Sequence, residues 1–115
     1  MSETTYDLFQ QGRDRLRRGM PAQATVPLEK AKKREPRKAS IREALGIAYF
    51  RIRRYAEAES EFRAIIDLAP TDHYAHYALG RCLDKQGRDD EAQGHYKLAS
   101  CFEPTSERYR ERLRR

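Results

Sequence analysis

Residues 39–72, ASIREALGIAYFRIRRYAEAESEFRAIIDLAPTD, decide how this chain of 115 residues is read. Through the first half, Ile41, Ala44, Leu45, Ala48, Tyr49 and Ile52 recur three or four residues apart, the spacing that gathers apolar groups on one face of a helix. Arg53–Arg54–Tyr55 breaks the pattern. A second stripe follows at Ala58, Phe62, Ile65, Ile66 and Ala69, and Pro70 closes it because proline cannot continue a helix. The stretch predicts two helices joined by a short turn.

The same layout recurs on both sides at a fixed step. Pro36, Pro70 and Pro104 lie 34 residues apart, and so do Ala24, Ala58 and Ala92. Bulky residues follow at Leu28, Phe62 and Tyr96, with glycines at Gly12, Gly46 and Gly80. A period of this length marks supersecondary units that must stack, since none can bury its apolar face alone. Three units result, 5–38, 39–72 and 73–106, forming one domain over 1–115, with 107–115 as the start of a further helix. Asp72 and Ser106, just past their prolines, are placed to cap the helices that follow. Small residues at Gly46, Gly80, Ala58 and Ala92 mark where two helices approach closely.

The first unit is irregular. Gly19 and Pro21 make a turn and a helix start, but Pro27 lies deeper, where it is expected to kink or weaken the helix by roughly 3 kcal/mol. Lys30–Ala31–Lys32–Lys33–Arg34 carries cations where the next unit has Ile66 and Leu68. This reads as a polar cap on the stack.

Composition fits an elongated stack better than a deep globule: hydrophobic residues are 38% and charged residues 37%. Lys and Arg total 24 against 18 Asp and Glu, a formal charge of +6, which favours acidic partners. The two cysteines, Cys82 and Cys101, have no CxxC spacing; Cys82 falls on an inward helical position, so a disulfide framework is not expected and a reducing compartment is. The opening MSETTYDLF has no basic segment leading an apolar one, and no run reaches a membrane span. A soluble, cytoplasmic protein is the expectation.

With these residues in place, the pattern resembles the tetratricopeptide repeat, W-x2-L-G-x2-Y…A-x3-F…P over 34 residues. The third unit carries Leu79–Gly80, Leu83, Ala92, Tyr96, Ala99 and Pro104; the second carries Leu45–Gly46, Tyr49, Ala58, Phe62 and Pro70. The first keeps Gly12, Ala24, Leu28, Ala31 and Pro36 but has Gln11 for the usual leucine and Arg15 for the usual tyrosine. Leu8, Arg42 and His76 stand where tryptophan is usual. The resemblance implies an all-α, right-handed solenoid of three hairpins plus the beginning of a C-terminal capping helix. It also implies a scaffold that holds a peptide in a concave groove lined by each unit's first helix.

Helical geometry and the resemblance together assign that groove. The first unit supplies Tyr6, Phe9, Arg13 and Arg17. The second supplies Ser40, Glu43, Ile47 and Arg51, and the third Tyr74, Tyr77, Arg81 and Lys85, with Arg108 and Arg115 extending it. Guanidinium groups beside aromatic rings suit carboxylates and apolar anchors, so an acidic linear peptide is the expected guest. Some relatives clamp the carboxyl-terminal tails of heat-shock chaperones, but the matching places here hold Phe9, Arg13, Ala44, Tyr74 and Ala78. Only Arg13 fits, and that role is not expected.

Other classes are weighed on the same residues. Basic clusters at 30–38, 51–54 and 108–115 with nearby tyrosines suggest single-stranded nucleic acid as an alternative partner, although Glu57, Glu59 and Glu61 interrupt the surface. Leu98, Cys101 and Phe102, under a short tail, leave an edge open to self-association. An enzyme is not expected: no phosphate loop or nucleophile motif occurs, and no cofactor is implied. His73 and His76 have no third ligand spaced to join them, and His76 reads as a packed interface residue rather than a metal site.

Overall fold

In the computed structural model, which describes residues 3–114, every regular element is a helix. The helices are α1 (Thr5–Arg17), α2 (Pro21–Arg34), α3 (Ala39–Arg51), α4 (Tyr55–Leu68), α5 (His73–Lys85), α6 (Asp89–Phe102) and α7 (Glu107–Arg110). Each starts 34 residues after its counterpart, as the sequence period requires. Consecutive helices pack pairwise into three hairpins, and the hairpins stack through α2 on α3 and α4 on α5. The result is elongated, 55 × 25 × 21 Å. No helix among the described residues is long and apolar enough to cross a membrane.

Packing follows from the repeated small and large positions. A side-chain carbon at Gly12 would lie 2.4 Å from Leu28, at Gly46 2.7 Å from Phe62, and at Gly80 2.4 Å from Tyr96. Each large residue thus presses flat onto backbone, and Ala24, Ala58 and Ala92 beside them are fully buried. Tyr96 is also pinned by its hydroxyl, which donates to Asp84 at 2.6 Å. Cys82 is buried, and burial pushes its thiol up to about 12.

Helix ends use the residues the sequence offers. Thr4 and Asp7 form a capping box on α1, and the Asp72 and Ser106 side chains accept from the amides of Ala75 and Tyr109. Gly19, Arg53 and Gly87 occupy one position in the three hairpin turns, all at positive φ (73°, 64° and 76°). Each turn closes with the same two backbone bonds, such as Arg53 N to Phe50 O and Arg54 N to Tyr49 O.

Two expectations need correction. Helix α2 runs unbroken through Pro27, and the carbonyl that Pro27 cannot engage, that of Gln23, accepts from Arg15 at 3.0 Å. Lys32, read as part of a solvated cap, instead reaches Glu61 at 2.9 Å across the α2–α4 seam. The tail 107–115, expected to be the start of a further helix, begins one over Glu107–Arg110. It then folds back: Leu113 packs against the core, and Gln93 donates to the Arg112 carbonyl. Leu98 and Phe102 remain 40% exposed and Cys101 is exposed.

Candidate functional site

The first helix of each hairpin turns one side toward a shared hollow, where two pockets meet at Ile47. One, of about 430 Å³, lies between α1 and α3 and is lined by Phe9, Arg13, Leu16, Arg17, Ser40, Glu43, Ala44 and Ile47. The other, of about 250 Å³, lies between α3 and α5 with α7 at its edge. Its walls are Ile47, Phe50, Phe62, Tyr74, Tyr77 and Ala78, and Arg51, Arg81 and Arg108 complete it.

Eight of the ten principal groove residues are brought together in these pockets: Phe9, Arg13, Arg17, Ile47, Arg51, Tyr74, Tyr77 and Arg81. Tyr6 and Lys85 line neither; the Tyr6 ring is 68% exposed. Arg115 lies outside the described residues. Tyr77 is buried rather than free, forming floor between Tyr109 and Tyr96, with ring centroids 5.0 and 6.1 Å away. Leu16 and Phe50, one period apart, line the two pockets and were missed by sequence reasoning. Their shared 34-residue offset was the signal that could have found them.

Aromatic rings hold the guanidinium groups in place. Arg13 lies over Phe9 (5.5 Å to the ring centroid) and Arg81 over Phe50 (5.3 Å). Arg108 lies over Tyr77 at 4.8 Å and over Tyr74 and Tyr109 at 5.7 Å each. Tyr109 itself is buried, with its hydroxyl 2.7 Å from His73 Nδ1. The α7 tail is therefore part of the wall.

Charge is sorted between faces. Glu59, Glu61 and Glu91, on α4 and α6, line neither pocket and are consumed by Lys32, Arg42, Arg63 and Arg88. Among the described residues, Arg13, Arg51, Arg81 and Arg108 make no ion pair, whereas Arg17 reaches Asp14 at 3.8 Å. Glu43 is the acid within the α1–α3 pocket. Partial desolvation by its neighbours, then the Asp72 carboxylate, push its carboxyl above the usual range, while Arg13 pulls it down.

The histidines take structural positions. His76 Nε2 bonds the Pro70 carbonyl at 2.8 Å, and its ring stacks on His95 with centroids 5.3 Å apart. Arg42 bonds the Pro36 carbonyl at 2.9 Å and Arg110 the Pro104 carbonyl at 2.5 Å. One period position thus ties each inter-hairpin loop to the helix after it. No group of three or more His, Cys, Asp or Glu is placed to hold a metal ion among the described residues.

Family models described as Tetratricopeptide repeat match residues 9–73 and 53–113. Among solved structures, the first such domain of Spaghetti (RPAP3), bound to an HSP90 peptide, superposes with a TM-score of 0.91 at 21% identity, covering 98% of this chain and 90% of that one. MamA from Desulfovibrio magneticus RS-1 superposes with a TM-score of 0.91 at 23% identity, over 96% of this chain and 62% of its own. YrrB, described as having an unusual peptide-binding site, gives 0.91 at 18% identity, over 96% and 57%. The chain thus spans less than two thirds of the MamA and YrrB chains. No curated protein sequence matches.

Proposed function

The chain belongs to the tetratricopeptide repeat family, and we propose that it is a non-enzymatic scaffold whose concave groove binds an acidic linear peptide of another protein. The observation that carries this reading is the sorting of charge. Outer acids are satisfied by outer bases, while Arg51, Arg81 and Arg108 line a pocket with no acid in its lining, and Arg13, which shares the other pocket with Glu43, makes no ion pair among the described residues. A guest carboxylate there gains charge-assisted bonds that no carboxylate among the described residues already takes, although Arg51 donates to the Leu16 carbonyl and Arg81 to the Tyr77 hydroxyl. The peptide-bound state of the RPAP3 neighbour is consistent with a groove of this shape taking an extended segment. The chaperone-tail clamp is not carried over, since Phe9, Ala44, Tyr74 and Ala78 offer no cation at its positions.

The basic segments outside the groove do not form one track with it, because Glu35, Glu57, Glu59 and Glu61 lie among them. Nucleic acid is therefore the second outcome of the test. Anisotropy of a fluorescent Glu/Asp-rich peptide should rise on titration with the protein at low salt and fall as ionic strength increases. Arg51→Glu or Arg81→Glu should weaken binding by about tenfold or more. Tighter binding of a single-stranded RNA oligonucleotide, unaffected by those reversals, would overturn the reading.

A further inference from the structure

We propose that the groove is polarised, and that the pocket between α3, α5 and α7 is its anchor subsite, taking an aromatic side chain flanked by carboxylates. This rests on the acidic-peptide reading and specifies its ligand.

The two pockets differ in chemistry. In the α1–α3 pocket, Arg17 is shared with Asp14 and Glu43 adds a negative charge, so an anionic side chain there meets both signs. The second pocket has three guanidinium groups, from Arg51, Arg81 and Arg108, and no acid in its lining. The anionic part of a guest is driven toward that end. Its walls are Phe50, Phe62, Tyr74 and Tyr77 with Ile47, and its volume of about 250 Å³ accommodates one large side chain. Arg81 already covers the Phe50 ring, and Arg108 covers Tyr77 most closely, with Tyr74 and Tyr109 further off. A planar guanidinium offers a second face, on which a guest ring can stack while its N–H groups reach flanking carboxylates. An aliphatic residue fills the volume but forgoes that stacking, and a purely acidic segment leaves the apolar floor wet.

Arg108 comes from the tail rather than from a hairpin. It is held over Tyr74, Tyr77 and Tyr109 by a one-turn helix whose buried Tyr109 is fastened to His73. It is exposed and makes no ion pair among the described residues. That assigns Arg108 as a specificity-determining residue whose loss leaves the stack intact.

The test uses three labelled peptides of equal charge, Glu-Asp-Phe-Asp-Glu, Glu-Asp-Leu-Asp-Glu and Glu-Asp-Ala-Asp-Glu, titrated with the whole chain by anisotropy. The phenylalanine peptide should bind about tenfold more tightly than the alanine peptide, with leucine between them. Arg108→Ala should lower affinity for the phenylalanine peptide about fivefold or more and shrink its advantage, with an unchanged melting curve. Arg13→Ala should lower all three affinities without altering their ratio. If the three peptides bind equally, the anchor proposal fails and the groove reading stands. If none binds at low salt, the acidic-peptide reading fails and takes the proposal with it. Equal effects of Arg13→Ala and Arg108→Ala on the phenylalanine preference would overturn the polarity.

Discussion

The Arg15 guanidinium donates to the carbonyl of Gln23 at 3.0 Å, and Gln23 is the residue four before Pro27. A proline inside a helix costs stability mainly by leaving the carbonyl one turn back without its amide and by crowding it. Here the next helix over supplies the missing donor, from the position where the repeat usually has tyrosine. Arg15→Ala should destabilise the chain by about 0.5–1.5 kcal/mol. Pro27→Ala restores an amide for Gln23, so the same change in that background should cost less. Chemical denaturation of the four proteins of this cycle checks it, and additive effects would refute the coupling.

Arg53 holds φ at 64° where the equivalent turns use Gly19 and Gly87. A side chain in the left-handed region carries a steric cost that glycine avoids, partly offset by glycine's freer unfolded chain. Arg53→Gly should therefore raise stability by about 0.5–1 kcal/mol, read as a higher urea midpoint with unchanged m. A lower midpoint would mean that the Arg53 side chain makes a contact outweighing the strain.

Glu61 is 4% exposed and receives Lys32 and Arg42, each at 2.9 Å. The Lys32 bond crosses from α2 to α4 and joins the first two hairpins, while the Arg42 bond ties α3 to α4 within the second. Deleting the acid leaves Arg42 half-buried without a carboxylate and Lys32 with Glu29 alone, at 3.3 Å, a loss larger than that of an exposed surface pair. Glu61→Ala should cost about 2–4 kcal/mol. Glu57→Ala, removing an exposed partner of Arg54, should cost under about 1 kcal/mol. Comparable losses for the two would show that the seam does not depend on the buried triad.

What the sequence made legible was what repeats. The 34-residue step located the starts of α1, α3, α5 and α7, and the Gly46–Phe62 and Gly80–Tyr96 contacts fall where small residues recur opposite large ones. Features carried by a single unit were hidden. Lys32 lies in a run of cations that reads as solvated until α4 is seen to place Glu61 within its reach. Arg15 looks like a departure from pattern until Pro27 and α1 are seen together. Tyr77 reads as a groove residue on periodicity, but the folded-back tail sets Tyr109 against it and turns it into floor. Non-local partners decide such cases, and no window along the chain contains both.

His95 lies beside His76, Nδ1 to Nδ1 at 3.1 Å, in the seam between α5 and α6. His76 Nε2 faces the Pro70 carbonyl and must carry a hydrogen to bond it, so in the neutral ring His76 Nδ1 accepts and His95 Nδ1 donates. Burial first, then the proximity of His76 and Arg63, lower the His95 pKa from its ordinary 6.5, against a pull upward from Glu91 and Glu59. Well above pH 6.5 neither the folded nor the unfolded chain binds this proton, and stability is unaffected. As pH falls below that value, the unfolded chain takes the proton while the folded one resists it, so stability drops until the lowered folded pKa is passed. The melting temperature should fall as pH drops through 6.5, and His95→Gln, which cannot titrate there, should flatten that part of the fall. A difference between the two proteins that stays constant across the window would show that His95 is not the group responsible.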